Sequence, residues 1–118
     1  TTLKSIILND NVISVDGATY IAQALSVNNT LTHLSFEINR IGDNGVTHIA
    51  KTLKVNTTLF SINLAENAIR DDGVVHIAEA LKVNTTLTML VLSWNRVGIC
   101  GCKHIAEALK ANNTLKAI

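Results

Sequence analysis

Residues Leu59–Thr86 read LFSINLAENAIRDDGVVHIAEALKVNTT, and nearly all of the remaining chain is this stretch again. The unit is 28 residues long, with copies beginning at Leu3, Leu31, Leu59 and Leu87. A fifth opens at Leu115 and runs to Ile118. No insertion breaks the spacing, and a fixed period of this length marks a repeat architecture. The chain therefore reads as one domain over 1–118, with repeats at 3–30, 31–58, 59–86 and 87–114 and a partial fifth at 115–118.

Each copy joins two periodicities. Ile62, Asn63 and Leu64 alternate apolar and polar, which suits a short strand with one buried face. From about Asp71 to Val83, Val74, Ile77, Ala78, Ala80 and Leu81 form an apolar stripe, predicting an amphipathic helix. Asp71 and Asp72 fall where a helix N-terminus favours negative charge, and Asn84 is placed to act as a left-handed C-cap. Strand and helix repeating in this order predict parallel strands with right-handed crossovers. Strands lie about 4.8 Å apart and packed helices about 8–10 Å apart. One of each per repeat forces the stack to bend, sheet inside and helices outside.

The other copies carry the same pattern. The first has Leu3, Ile6, Leu8, Asn11, Ile13, Gly17, Ile21, Ala22, Leu25, Asn28 and Thr30. The second has Leu31, Leu34, Phe36, Asn39, Ile41, Gly45, Ile49, Ala50, Leu53, Asn56 and Thr58. The fourth has Leu87, Leu90, Leu92, Asn95, Val97, Gly101, Ile105, Ala106, Leu109, Asn112 and Thr114. This pattern resembles the leucine-rich-repeat family in its ribonuclease-inhibitor-like class. The phrases IGDNGVTHIAKTLKVNTTL and DDGVVHIAEALKVNTTL are especially similar to repeats of NOD-like receptors. The resemblance implies an α/β solenoid shaped as a horseshoe arc, parallel β-sheet on the concave face and α-helices on the convex one. It also implies that Asn11, Asn39, Asn67 and Asn95 form a ladder hydrogen-bonding the turns inside the stack.

Composition narrows the role. Hydrophobic residues make up 47% of the chain and aromatics 3%, so small aliphatic side chains must fill a thin layered core. Polar capping repeats normally seal such a stack, and the sequence offers no sign of one. The chain is therefore expected to be a segment of a longer array, prone to stack end to end. A net charge of +1 and 16% charged residues give no case for nucleic acid or an anionic membrane. No apolar run approaches the roughly 20 residues that cross a bilayer.

Several patterns invite chemistry and are better read as structure. Cys102 shares a register with Ala18, Val46 and Val74, so it is expected in the core, while Cys100 sits at a helix start. With His104 these supply three ligands, short of the usual four-ligand zinc site, so no metal is expected and two reduced thiols suit a cytoplasmic protein. His48, His76 and His104 share the register of Tyr20. They are expected on the helix flank facing the next helix, packed beside alanine. Asn28, Asn56, Asn84 and Asn112 each open an N-x-Thr triplet. Their regular spacing points to a structural demand at the helix exit rather than to glycosylation. No phosphate loop or catalytic grouping occurs, so no enzyme activity and no cofactor are expected.

Comparison among the copies carries the functional reading. Eight registers are identical in all four, whereas the outward strand registers vary: Ile7, Ser35, Asn63, Val91; then Asn9, Glu37, Ala65, Ser93. At the strand exit come Asp10, Ile38, Glu66, Trp94, and then Val12, Arg40, Ala68, Arg96. A constant frame with a variable inner face is what recognition of a protein partner requires. Trp and Arg are enriched among interface hot spots, which singles out Trp94, Arg96 and Arg40 with Glu37. The wider candidate surface adds Glu66, His33, Ser35, Asn63, Met89 and Val91. The expected function is a protein-interaction module, such as the sensor or regulatory region of a NOD-like-receptor-type protein. The alternatives are a free-standing enzyme regulator, resembling ribonuclease inhibitors or Ran GTPase activators, or a microbial effector in host cytosol.

Overall fold

The computed structural model describes residues 2–118. Its elements alternate without exception: β1 Ser5–Ile7, α1 Ser14–Leu25, β2 His33–Ser35, α2 Gly42–Leu53, β3 Ser61–Asn63, α3 Asp71–Leu81, β4 Met89–Val91 and α4 Ile99–Ala111. The strands form one parallel sheet in the order β1-β2-β3-β4. Pairing holds the repeat register, with Ser5 opposite His33, His33 opposite Ser61 and Ser61 opposite Met89. Met89 bridges on to Ala117, within the partial fifth unit. The sheet lines one side and the helices the other, so the horseshoe-arc solenoid expected from the repeat is the fold observed.

The core is layered as the period requires. In the central repeats Leu34, Phe36, Ile41, Ile49 and Leu53, then Leu59, Ile62, Leu64, Ile69, Ile77 and Leu81, are almost wholly buried. Equivalent residues at the ends are half covered, including Ile6, Leu8, Ile21, Leu92, Val97 and Ile105. Cys102 corrects an expectation: it is exposed, as is Cys100. Its register faces the following helix, and α4 is the last one described, so nothing covers it. Ala106 is exposed for the same reason, although Ala22, Ala50 and Ala78 are buried.

The histidine flank also differs from expectation. His48 lines the groove between α1 and α2 beside Ala22, so this register faces the preceding helix rather than the next. It does lie beside alanine, as anticipated. His76 and His104 are exposed on the outer surface.

Two asparagine ladders hold the layers together. In the strand-exit ladder, Asn67 Nδ2 donates to the carbonyls of Phe36 and Ala65, both at 2.9 Å. Its Oδ1 accepts from the backbone N–H groups of Asn39 and Ile41, both at 3.2 Å. Asn95 repeats the arrangement one layer on, accepting from Asn67 and Ile69 at 3.0 Å. A buried turn must satisfy its backbone polar groups, and an amide that donates and accepts does so on both sides.

The helix-exit asparagines form the second ladder. Asn84 is not a left-handed C-cap; the left-handed residues lie elsewhere, and the residue ending α3 is Lys82 in right-handed geometry. Instead, Asn84 Nδ2 donates to the Leu53 carbonyl at 2.7 Å, across the repeat boundary. Its Oδ1 accepts from Thr86 and Leu87 at 3.0 and 2.7 Å, folding the chain toward the next strand. Asn56 and Asn112 do the same with the Leu25 and Leu81 carbonyls. The N-x-Thr triplets are thus explained by packing: Asn56 and Asn84 are buried, with the nitrogen a glycan would need already engaged.

Candidate functional site

The outward strand registers build a shallow cleft across the sheet. Ser5, Ile7, His33, Ser35, Ser61, Asn63, Met89 and Val91 line about 320 Å³ of it, above the half-covered Ile6 and the buried Leu34. His33, Ser35, Asn63, Met89 and Val91, all candidates from the sequence, are therefore brought together. Successive side chains on a strand point to opposite faces, so each three-residue strand offers its first and third residues to this cleft.

Glu37 sits just beyond the strands in a polar cluster. Its Oε2 accepts from Asn63 Nδ2 at 3.3 Å and from Asn9 Nδ2 at 3.5 Å. Asn9 is itself fixed, its Oδ1 accepting from Ser35 Oγ at 2.6 Å and from the Glu37 N–H at 3.1 Å. Asn9 and Ile7 were absent from the candidate residues, although both lie in registers whose variation was visible. Phe60, just before β3, was missed too; it stands half exposed where Lys4, Thr32 and Thr88 occur in other repeats.

Past the cleft the backbone turns through a ridge of left-handed residues. Asp10, Ile38, Glu66 and Trp94 share one register and have φ of 55°, 58°, 52° and 58°. Trp94 is 83% exposed. Glu66 and Trp94 therefore stand side by side on this ridge.

Arg40 and Arg96 lie further round, on the helix side, and are not gathered with Glu37. Arg40 lines a cleft of about 440 Å³ with Ala68, Arg70, Asp72 and His76. Arg96 shares another, of about 320 Å³, with Arg70, Asp71 and Asp72. The only ion pairs among the described residues are Lys82–Glu79 at 2.8 Å and Lys110–Glu107 at 2.7 Å, both on the convex helices. The hydrogen bond from Lys82, and then its charge, hold the Glu79 carboxyl below its ordinary range; Lys110 does the same for Glu107. Among the described residues, no three His, Cys, Asp or Glu side chains are grouped to hold a metal ion. None of their helices is long and apolar enough to cross a membrane.

A Leucine Rich repeat family model matches the chain four times, over residues 1–22, 27–50, 55–78 and 83–106. The chain belongs to the leucine-rich-repeat family. Among solved structures it is similar to leiomodin-1 actin-binding site 2, at 30% identity and a TM-score of 0.89, over 97% of this chain and 68% of that one. It is also similar in fold to the tropomodulin C-terminal domain of Caenorhabditis elegans, at 14% identity and a TM-score of 0.86. That match covers 98% of this chain and 71% of the other. No curated protein sequence matches it. The leucine-rich repeats support a protein-interaction module; the ribonuclease-inhibitor-like and NOD-like subclasses stay at the level of motif resemblance.

Proposed function

We propose that this leucine-rich-repeat stack is a non-enzymatic module that binds a protein on its concave sheet and on the left-handed ridge at the strand exits. The observation that carries the reading is the ridge itself. A left-handed φ costs an L-residue about 1–2 kcal/mol, and glycine avoids that cost. Yet Asp10, Ile38, Glu66 and Trp94, all with large or charged side chains, occupy it. Strain of this kind persists where function uses the side chain, and four different side chains in one register suit a surface shaped to a partner.

In its finer form the reading makes the stack the sensor or regulatory region of a NOD-like-receptor-type protein in the cytoplasm. The motif resemblance supports the first part, and the exposed, unpaired thiols of Cys100 and Cys102 suit a reducing compartment. The half-covered apolar end layers suit stacking against a further repeat, in this or a second copy. A second reading, actin as the partner, is favoured by the likeness to leiomodin-1 actin-binding site 2 over nearly the whole chain.

Selection of displayed random peptides on the immobilised chain tests the principal reading. Binders should be lost on an Ile7→Arg, Met89→Arg variant, whose altered side chains are both exposed, and weakened on Trp94→Gly. Binders indifferent to both would overturn it. Co-sedimentation with actin filaments, together with gel filtration with actin monomer, tests the second; no association in either sinks actin and leaves the concave-face reading standing.

A further inference from the structure

We infer that the segment bound on the concave face presents an arginine or lysine to Glu37, with an apolar side chain two residues to either side. The inference rests on the concave-face reading above and adds the chemistry of the partner.

Among the described residues, Glu37 is the only carboxylate built into the sheet-side hydrogen-bond network. It is half buried and pinned from both neighbouring repeats, by Asn9 on one side and Asn63 on the other. Asn63 is held in turn, its Oδ1 accepting from the Ala65 N–H at 3.0 Å. The Glu37 backbone is equally fixed, its carbonyl accepting from the Asp10 N–H at 2.8 Å and its N–H donating to Asn9. Both amides use Oε2, so Oε1 is left for an incoming donor.

The two donors are neutral, and no cation among the described residues pairs with Glu37. Both ion pairs of the described residues are on the helices. A carboxylate already oriented and partly desolvated gains more from a cationic donor than a free surface acid does. An acceptor needed only for the network would serve as well without charge. The sign of the site thus selects a base.

Apolar groups flank this acid along the direction that crosses the strands. Ile7, on β1, is 70% exposed, and Val91, on β4, is half buried on the same cleft. They are three strand spacings apart, roughly 14 Å at about 4.8 Å each. An extended segment advances about 3.4 Å per residue and turns every second side chain to one face. It therefore covers the distance in about four residues, placing apolar groups at the first and fifth positions. The third position falls near the middle, where the Glu37 carboxylate, carried just beyond β2, meets Asn63 of β3 at 3.3 Å.

The test is a selection of displayed random nonapeptides on the native chain and on Glu37→Gln, followed by binding of the enriched peptides in solution. Native selection should enrich apolar-x-Arg/Lys-x-apolar. The chosen peptides should bind Glu37→Gln about tenfold more weakly or worse, a loss of about 1.4 kcal/mol, and should weaken with added salt only on the native chain. Circular dichroism of Glu37→Gln should be unchanged. Peptides that need Ile7 and Met89 but carry no base, or that bind Glu37→Gln equally well, overturn this inference alone. Peptides indifferent to Ile7→Arg, Met89→Arg overturn the concave-face reading with it, and a selection that enriches nothing counts against both.

Discussion

The loops that lead into α1 and α2 make their turn differently from those that lead into α3 and α4, although the repeats are in perfect register. At the start of α1 and α2, Ser14 and Gly42 are left-handed, with φ of 56° and 66°. Their N–H groups reach forward to the carbonyls of Asn39 and Asn67 in the next repeat, at 3.1 and 2.8 Å. The equivalent residues before α3 and α4, Arg70 and Gly98, are extended, with φ of −114° and −100°. Their N–H groups instead meet carboxylates of the preceding repeat, Asp43 Oδ1 at 2.7 Å and Asp71 Oδ1 at 2.6 Å.

The difference traces to one register. It holds Val15 in the first repeat, then Asp43, Asp71 and Ile99. Where the preceding repeat supplies an acid, the next loop extends to meet it; where it supplies valine, as before Gly42, the loop turns left-handed and finds a carbonyl, the course that Ser14 of the first repeat also takes. None of the four helices is capped by its own N-cap side chain. Asp43 also accepts from Gly73 N–H at 3.1 Å, inside the first turn of α3. It thus satisfies orphan donors as a capping residue does, but from the repeat before. Stacking and capping are one interaction in the second half of the molecule and separate ones in the first.

Removing what both halves share should have the largest effect. Asn67 is fully buried and makes four side-chain bonds, three of which tie the second repeat to the third. Asn67→Ala strands buried donors and acceptors at once and is expected to cost about 3–5 kcal/mol, read from urea unfolding. Asn11, exposed in the first repeat, has side-chain bonds among the described residues only to Leu8 and Asn9 of its own turn. Asn11→Ala should cost less than about 1 kcal/mol. Equal losses would mean that the ladder does not stabilise by bridging layers.

The contrast between the halves is sharpened next by Asp43→Ala. Losing the cap from the preceding repeat should cost about 1–2 kcal/mol and speed hydrogen exchange at the Arg70 and Gly73 amides. Exchange at Gly42, whose bond runs to Asn67, should not change beyond the global effect. Unaltered protection at Arg70 would remove Asp43 from its assigned role.

The sequence made the stack legible because every layer repeats the same burial demand: Ile62, Ile77 and Leu81 announce their faces by spacing alone. The inner-face candidates Ser35, Asn63 and Val91 were legible for the same reason, since variation against a constant frame is visible within one chain. What could not be read was which neighbour each helix flank meets. Asp71 was assigned by charge to its own helix start, yet its carboxylate reaches Gly98 of the next repeat. Cys102 was assigned to the core by register, but burial there depends on a following helix, not on the residue. Asn84 looked like a backbone cap; its amide is instead needed by carbonyls a full repeat away. Periodicity gives the contents of a layer, while contacts between layers depend on the direction and tilt of stacking.

The smallest expected effect tests whether the acid really decides the backbone. At Gly42 an added Cβ meets nothing within 4 Å, so Gly42→Ala should cost only the left-handed conformation, about 1 kcal/mol. Val15 lines the same cleft as Gly42 and is partly exposed, so an aspartate is tolerated there. Val15→Asp places a carboxylate where Asp43 and Asp71 stand in their own repeats, offering the Gly42 N–H the partner that Arg70 and Gly98 have. The loop should then extend, and alanine at 42 should become nearly neutral. A double-mutant cycle by urea unfolding is expected to show coupling of about 1 kcal/mol between the two sites. If Gly42→Ala costs the same with valine and with aspartate at 15, the carboxylate follows the backbone rather than setting it, and the two loop types must arise from the residues of the turn themselves.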